Sequence, residues 1–240
     1  MAERNAVAVA RPDYPMLPLR SRIARRMQAW PGGAALVRVV RSILGTGGEM
    51  DQWQRIVMNE STRLLVAALA PETRDVLEIS GDRWRQLLRF RSHRSVHYPD
   101  FDICAATLAE QFDLIIAEQV FEHLLWPYRA ARHVYQMLRP GGHFLVTVPF
   151  LIKRHECPYD CSRWTETGLR YLLAEAGWDL LAIQSGSWGN RACVMANLRR
   201  WQIYQPWRHS RRNERDFPVQ VWALARKTPP SATGREDGQG

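Results

Sequence analysis

The sequence predicts an α/β fold in which a mostly parallel sheet carries helices on both faces. Short apolar runs bounded by turn residues alternate with longer stretches of helical periodicity between Asp51 and Arg226. One run, Phe112-Asp113-Leu114-Ile115-Ile116-Ala117, is apolar almost throughout, as a strand covered on both faces must be. Repeated strand–helix alternation is the pattern of a parallel sheet sandwiched between helices. A chain of 240 residues, 46% hydrophobic, is long enough to bury the core of one elaborated domain.

The elements follow in order. Residues 1–50 form a basic extension: Pro12, Pro15 and Pro18 predict an irregular lead, and Pro31-Gly32-Gly33 splits Ser21–Leu44 into two short helices. The domain proper spans 51–227. Its first helix, Asp51–Leu69, places Trp53, Ile56, Val57, Leu64, Leu65 and Ala68 on one stripe and stops at Pro71. Strands are predicted at Asp75–Ile79 and Arg94–Tyr98, with a short polar helix Trp84–Arg91 between them, and then at Phe112–Ala117. Pro127 opens a helix with inner face Ala131, Val134, Tyr135 and Leu138, closed by Gly141-Gly142. A strand His143–Val148 ends at Pro149. Thr165 caps a helix bearing Leu169, Leu172, Leu173 and Ala176 that ends at Gly177. Strands Asp179–Gln184 and Val219–Arg226 complete the series, and residues 228–240 have the composition of a disordered tail.

Bulk properties narrow the function classes. The formal net charge of +9 is carried by arginine and favours anionic partners, among them phosphorylated metabolites, nucleic acid and lipid headgroups. No apolar stretch is long enough to span a bilayer. The N-terminus lacks a signal-peptide core, so a cytoplasmic protein is expected, with peripheral membrane contact open to the basic N-terminal segment. Four cysteines, Cys104, Cys157, Cys161 and Cys193, make no disulfide framework, and reduced thiols are expected. His155-x-Cys157-x-x-x-Cys161 is half of a metal pattern at most; no second Cys/His pair completes four ligands, so no metal is predicted.

In a parallel α/β sheet the ligand sits beyond the carboxyl ends of the strands. That rule selects Ser80-Gly81-Asp82, Tyr98-Pro99-Asp100, Glu118-Gln119 and the segment from Pro149 onward. The first strand ends in Glu78 and a single glycine turn at Gly81, where a dinucleotide fingerprint requires three glycines. The segment Phe112-Asp113-Leu114-Ile115-Ile116-Ala117-Glu118-Gln119-Val120-Phe121-Glu122-His123-Leu124 resembles the fourth-strand motif of class I S-adenosylmethionine (SAM)-dependent methyltransferases. Met137-Leu138-Arg139-Pro140-Gly141-Gly142-His143-Phe144-Leu145-Val146-Thr147-Val148-Pro149 resembles their proline–glycine–glycine turn and fifth strand, at matching separation.

This resemblance, over roughly Asp75 to Trp178, implies a Rossmann-like fold with a seven-stranded sheet and SAM as cofactor. Carried over residue by residue, it implies that Glu78 and Gly81 hold the methionine moiety. Asp100 takes the place of the ribose-binding acid, because His97 stands where the second strand usually ends in one. Asp102 reaches the adenine amino group, and Gln119 lines the methionine side. The stretch His155–Thr165 is similar to a subgroup associated with methylation of sugars, polysaccharides and secondary metabolites. A long connection, Phe150–Trp164, is expected to form a lid over the acceptor, with His155 as general base oriented by Asp160. An alternative for Asp160 is an ion pair with Arg163 that pins the loop.

The reading that follows is O-methylation of a small molecule or glycan. Two others stand beside it: a binding protein that keeps the fold without turnover, suggested by the thin glycine loop, and an RNA methyltransferase, suggested by charge. Glu118-Gln119-Val120-Phe121 stands where base-methylating enzymes carry an Asn/Asp-Pro-Pro-Tyr tetrapeptide, which disfavours nucleic acid. The basic aromatic stretch Arg199–Arg212 is expected to pack over the pocket, with Trp188, Trp201 and Trp207 in the core.

Overall fold

The structure, a computed structural model of the chain, describes Gly48 and residues 51–229. The expected helices within 1–50 and nearly all of the tail 228–240 lie outside the described residues. The elements are α1 (Trp53–Ala67), β1 (Asp75–Ile79), α2 (Trp84–Leu87), β2 (Ser92–Val96), β3 (Phe112–Glu118), α3 (Pro127–Met137), β4 (Leu138–Pro149), α4 (Glu166–Ala176), β5 (Ile183–Trp188), α5 (Arg191–Arg199) and β6 (Gln220–Arg226).

The strands form one sheet in the order β2-β1-β3-β4-β6-β5. The first four run parallel, and β6 is antiparallel to both of its neighbours. Among the described residues the sheet has six strands, and the seventh that the resemblance implied is not found. Residues 97–111, between β2 and β3, run as turns: Phe101 N–H donates to the His97 carbonyl, and Asp102 caps a second turn through Cys104 N–H.

Alternate residues of each central strand enter separate cores, as a period of two requires. Leu77, Ile115, Ala117, Phe144 and Val146 pack with Ala130, Ala131 and Val134 of α3 and with Leu169 and Leu173 of α4. On the other face Val76, Leu114, Ile116 and Leu145 meet Val66 of α1 and Trp84 of α2. A third cluster joins Trp53 and Met58 of α1 to Trp188, Cys193, Val219 and Trp222.

Several elements differ in placement from the sequence reading. In α1 the buried face is Gln54, Met58, Thr62 and Val66 with Trp53 and Arg55, while Leu64 is 67% exposed. The stripe is rotated because Thr62 hides its hydroxyl by donating it to the Met58 carbonyl, which makes a polar residue acceptable inside. Gly141-Gly142 does not close α3; the chain passes directly from Met137 into β4, and the glycines lie within that strand. Gly141 has φ +79°, and a Cβ on Gly142 would sit 2.9 Å from the Arg139 carbonyl oxygen, so the strand's irregular start requires both. Asp179 opens a short 3₁₀ turn by accepting from Leu181 N–H, which delays β5 to Ile183. Trp188 is core, but Trp207 is 69% exposed.

Candidate active site

The carboxyl ends of β1, β2 and β3 open onto an edge where Ser80, His97, Tyr98, Pro99 and Asp100 are all exposed. Glu78 is buried below this edge. Its carboxylate accepts from the backbone N–H groups of Arg83 (3.0 Å) and Trp84 (3.1 Å) and contacts His93 Nε2 at 2.8 Å. It thus supplies the acceptors that the start of α2 needs. A Cβ on Gly81 would lie 2.3 Å from Glu78 Oε1. Glycine at 81 therefore lets the Glu78 carboxylate fold back under the turn.

Directly above, Arg83 reaches across from β1 to the end of β3, where its guanidinium pairs with Glu118 (3.0 Å) and touches Asn59 Oδ1 (3.4 Å). Trp84 Nε1–H donates to the second Glu118 oxygen at 3.1 Å. Arg83 did not stand out in the sequence, and Glu118 did so only as part of the Glu118-Gln119 turn, because only folding brings the segment after the glycine turn against β3. This ion pair beside the exposed Ser80 turn fits the methionine end of SAM by charge: a guanidinium for the α-carboxylate and a carboxylate for the α-ammonium.

Asp100 lies on the exposed turn after β2, and Asp102 spends one oxygen on Cys104 N–H (2.8 Å). Gln119 has φ +56°, and its side-chain amide donates to Gln220 Oε1 (2.8 Å) and Thr147 Oγ1 (3.2 Å). Its amide thus bridges β3 to β4 and β6. The structure brings Glu78 and Gly81 together, keeps Asp100 and Asp102 in the 97–106 connection, and places His155 and Asp160 in a separate group.

That group begins two residues beyond Gln119. Phe121–His123 forms a 3₁₀ turn in which Phe121 and Glu122 are buried. The 150–164 connection is tied to it: the Glu122 carbonyl accepts from Cys161 N–H (2.7 Å) and Ser162 N–H (3.2 Å), and His123 Nδ1 meets the Tyr159 carbonyl at 2.6 Å. Asp160 accepts from Nη1 and Nη2 of Arg163 and from the His155 backbone N–H (2.8 Å). Burial alone would raise the Asp160 carboxyl, but Arg163 and His155 outweigh it and hold it below the usual carboxylate range. The His155 ring stands 4.0 Å from Asp160, beyond hydrogen-bonding distance, so Asp160 fixes the backbone of His155 and the loop. The ring packs edge-on against His123 (centroids 5.0 Å) and Trp201 (5.9 Å). Trp201, from the basic stretch, also lies under Lys153.

Glu122 is the residue the sequence reading left unweighed. Its side chain is fully buried, and burial pushes its carboxyl up to about 8, against its own backbone N–H and the Arg55 and Arg163 guanidiniums. All four cysteines are free thiols.

A sequence profile of the methyltransferase-domain family matches residues 47–183, more than half of the chain. The chain belongs to the methyltransferase family. It is a SAM-dependent enzyme of the class I, Rossmann-like type, and SAM is its cofactor. Among solved structures the methyltransferase is similar to a SAM-dependent methyltransferase of Thermotoga maritima, described as a possible histamine N-methyltransferase. Identity there is 12%, over 73% of this chain and 98% of that one, with a TM-score of 0.44. It is likewise similar to the N-methyltransferase NodS of Bradyrhizobium japonicum, solved with S-adenosyl-L-homocysteine: 17% identity, 71% of this chain, 86% of that one, TM-score 0.44. A Mesorhizobium loti methyltransferase gives 14%, 68%, 96% and 0.42 in the same order. No curated protein matches the chain in sequence. Among the described residues, no helix is long and apolar enough to cross a membrane.

Proposed function

We propose that this methyltransferase O-methylates a hydroxyl group of a small molecule or glycan, held between the 121–123 turn and the 150–164 lid. The observation that carries the reading is the docking of the lid. Three backbone contacts to Glu122 and His123 hold His155 beside the residues that leave β3, next to the edge where the cofactor binds.

Bound SAM supplies an activated methyl group on a sulfonium, so the protein need only align the acceptor and manage its proton. Arg83 and Glu118 would hold the zwitterionic end, and exposed Asp100 would take the ribose hydroxyls. Glu78 and Gly81 act from below by fixing the turn on which Arg83 stands. His155, 30% exposed at the side chain and adjoining His123, is the residue that meets the acceptor hydroxyl and its proton. Asp160 and Arg163 are positioning residues that hold the His155 backbone.

The test is release of S-adenosyl-L-homocysteine from SAM with a panel of hydroxylated sugars and small metabolites, products being identified by mass spectrometry. The reading expects an O-methyl product with some member of the panel, and strong loss of turnover in His155→Ala at unchanged SAM affinity. Methylation confined to nitrogen or to RNA contradicts it.

A further inference from the structure

We propose that Glu122, His123 and His155 form the binding site of one divalent transition-metal cation, whose open coordination position receives the acceptor hydroxyl. The acceptor clause rests on the O-methylation reading above; the metal site stands on its own geometry. One ligand atom from each of the three side chains lies within 4.8 Å of the other two.

The decisive residue is Glu122. Its side chain is 0% exposed, and apart from its own backbone N–H and the field of the Arg55 and Arg163 guanidiniums neither carboxylate oxygen has a partner in hydrogen-bonding geometry. A buried carboxylate so sparsely satisfied is expensive, and a bound ion is one of the things that satisfies such a group. The neighbouring groups identify that something. His123 Nε2 stands 3.7 Å from Glu122 Oε1, while its other nitrogen is engaged by the Tyr159 carbonyl at 2.6 Å. A carbonyl can only accept, so Nδ1 carries a proton, and Nε2, on the side of Glu122, is the ring nitrogen left to bind an ion. This is how proteins orient a metal-binding histidine. His155 completes the group from the lid, its ring edge-on to His123 and its backbone fixed by Asp160.

Two imidazoles and one carboxylate suit zinc-like ions and disfavour magnesium and calcium, which prefer all-oxygen shells. Metal–ligand distances of about 2.0–2.2 Å place ligand atoms about 3.4 Å apart. The site must therefore contract by at most about 1.4 Å, a displacement within reach of the His155 side chain. Three protein ligands leave a position for water or for an acceptor oxygen, whose pKa the ion lowers. In that form His155 acts on the acceptor through the ion. Glu122 and His123 are adjacent, but His155 comes from a distant segment, so spacing alone does not reveal the set.

The test uses full-length protein stripped with a chelator and titrated calorimetrically with Zn²⁺, alongside Glu122→Gln, His123→Ala, His155→Ala and the double variant Cys157→Ser/Cys161→Ser. One ion per chain is expected. Affinity should fall about 100-fold or more in each of the three ligand variants and stay unchanged in the cysteine variant. The Co²⁺ form should show a nitrogen–oxygen spectrum without a thiolate charge-transfer band. Metal-free Glu122→Gln should be at least as stable to urea as wild type, which keeps the result readable apart from folding. Absence of Zn²⁺ binding, binding abolished only by the cysteine changes, or wild-type affinity in Glu122→Gln each overturns the site. If Zn²⁺ fails to bind while a hydroxyl is still methylated in chelator, only the metal site falls. If Zn²⁺ binds as expected while only nitrogen or RNA is methylated, the site stands and the hydroxyl reading falls.

Discussion

Replacing Gly81 by Ala isolates the device that builds the cofactor edge. The new Cβ would lie 2.3 Å from Glu78 Oε1, 3.0 Å from Cδ and 3.1 Å from Cγ, distances that no local adjustment of the turn absorbs. The carboxylate must swing out, and it then releases the Arg83 and Trp84 N–H groups and the His93 ring. Hydrogen bonds to a charged group contribute about 1.5–3 kcal/mol each. Water can re-pair Arg83 N–H near the surface but not the buried Trp84 N–H, so a net loss of about 2–4 kcal/mol is expected. Urea denaturation of wild type, Gly81→Ala, Glu78→Ala and the double variant measures it. Because the clash is with the Glu78 carboxylate alone, adding Gly81→Ala to Glu78→Ala should cost under about 0.5 kcal/mol, a strong coupling between two touching residues. Additive losses, or a single Gly81→Ala variant as stable as wild type, would refute the reasoning.

Other outcomes follow from the same geometry. Arg83→Ala and Glu118→Gln should each weaken SAM binding about tenfold or more, measured by fluorescence competition, because each removes one half of the pair that meets the methionine zwitterion. His155→Ala should keep SAM affinity within about threefold and lower turnover about 10²–10⁴-fold; kcat measured beside a direct binding titration separates the two. For His143, burial depresses the folded-state pKa from 6.5 to about 4, so the unfolded chain binds more protons between those values. Its contribution to stability is therefore present above about pH 6.5 and lost as pH falls toward about 4. Urea midpoints taken from pH 7 to 4.5 should decline less steeply in His143→Gln than in wild type.

Much of the fold was legible because burial on both faces leaves a direct trace. The apolar run Phe112–Ala117 is covered on both sides in the structure, and Thr165 caps α4 through Gly168 N–H as its side chain suggests. Local signals failed where long-range contacts decided. Gly141-Gly142 looks like a helix stop, yet Gly141 serves a positive φ inside β4 and Gly142 a close approach to the Arg139 and Asp113 carbonyls. Leu64 and Leu65 belong to a helical stripe by spacing, and Leu65 does pack against the core, but Leu64 is left exposed because the sheet beneath selects the row through Met58, Thr62 and Val66. Trp207 is large and apolar, yet the stretch that carries it is fixed mainly by backbone carbonyls: Ser210 receives Trp53 Nε1–H and Arg211 receives Trp188 Nε1–H.

The candidate site was partly legible for the same reason. Glu78 and Gly81 form one unit as their spacing suggested, although Glu78 is turned inward to cap α2. Gln119 is diverted into a bridge between strands, because Thr147 and Gln220 stand beside it only after β4 and β6 have paired. The lid residues His155 and Asp160 do come together, with the alternative ion pair of Asp160 to Arg163 realised. Glu122 was hidden in a motif whose apolar residues took all the weight. Its interest appears only when its burial and its missing partner are seen together.

The claim on which the account rests is that this edge binds SAM. Calorimetric titration of the full chain with SAM, and with S-adenosyl-L-homocysteine as competitor, measures it directly. The account predicts one site per chain, micromolar or tighter, competitive between the two ligands and weakened by Arg83→Ala. Absence of saturable binding by the folded protein, or binding indifferent to Arg83 and Glu118, would contradict it.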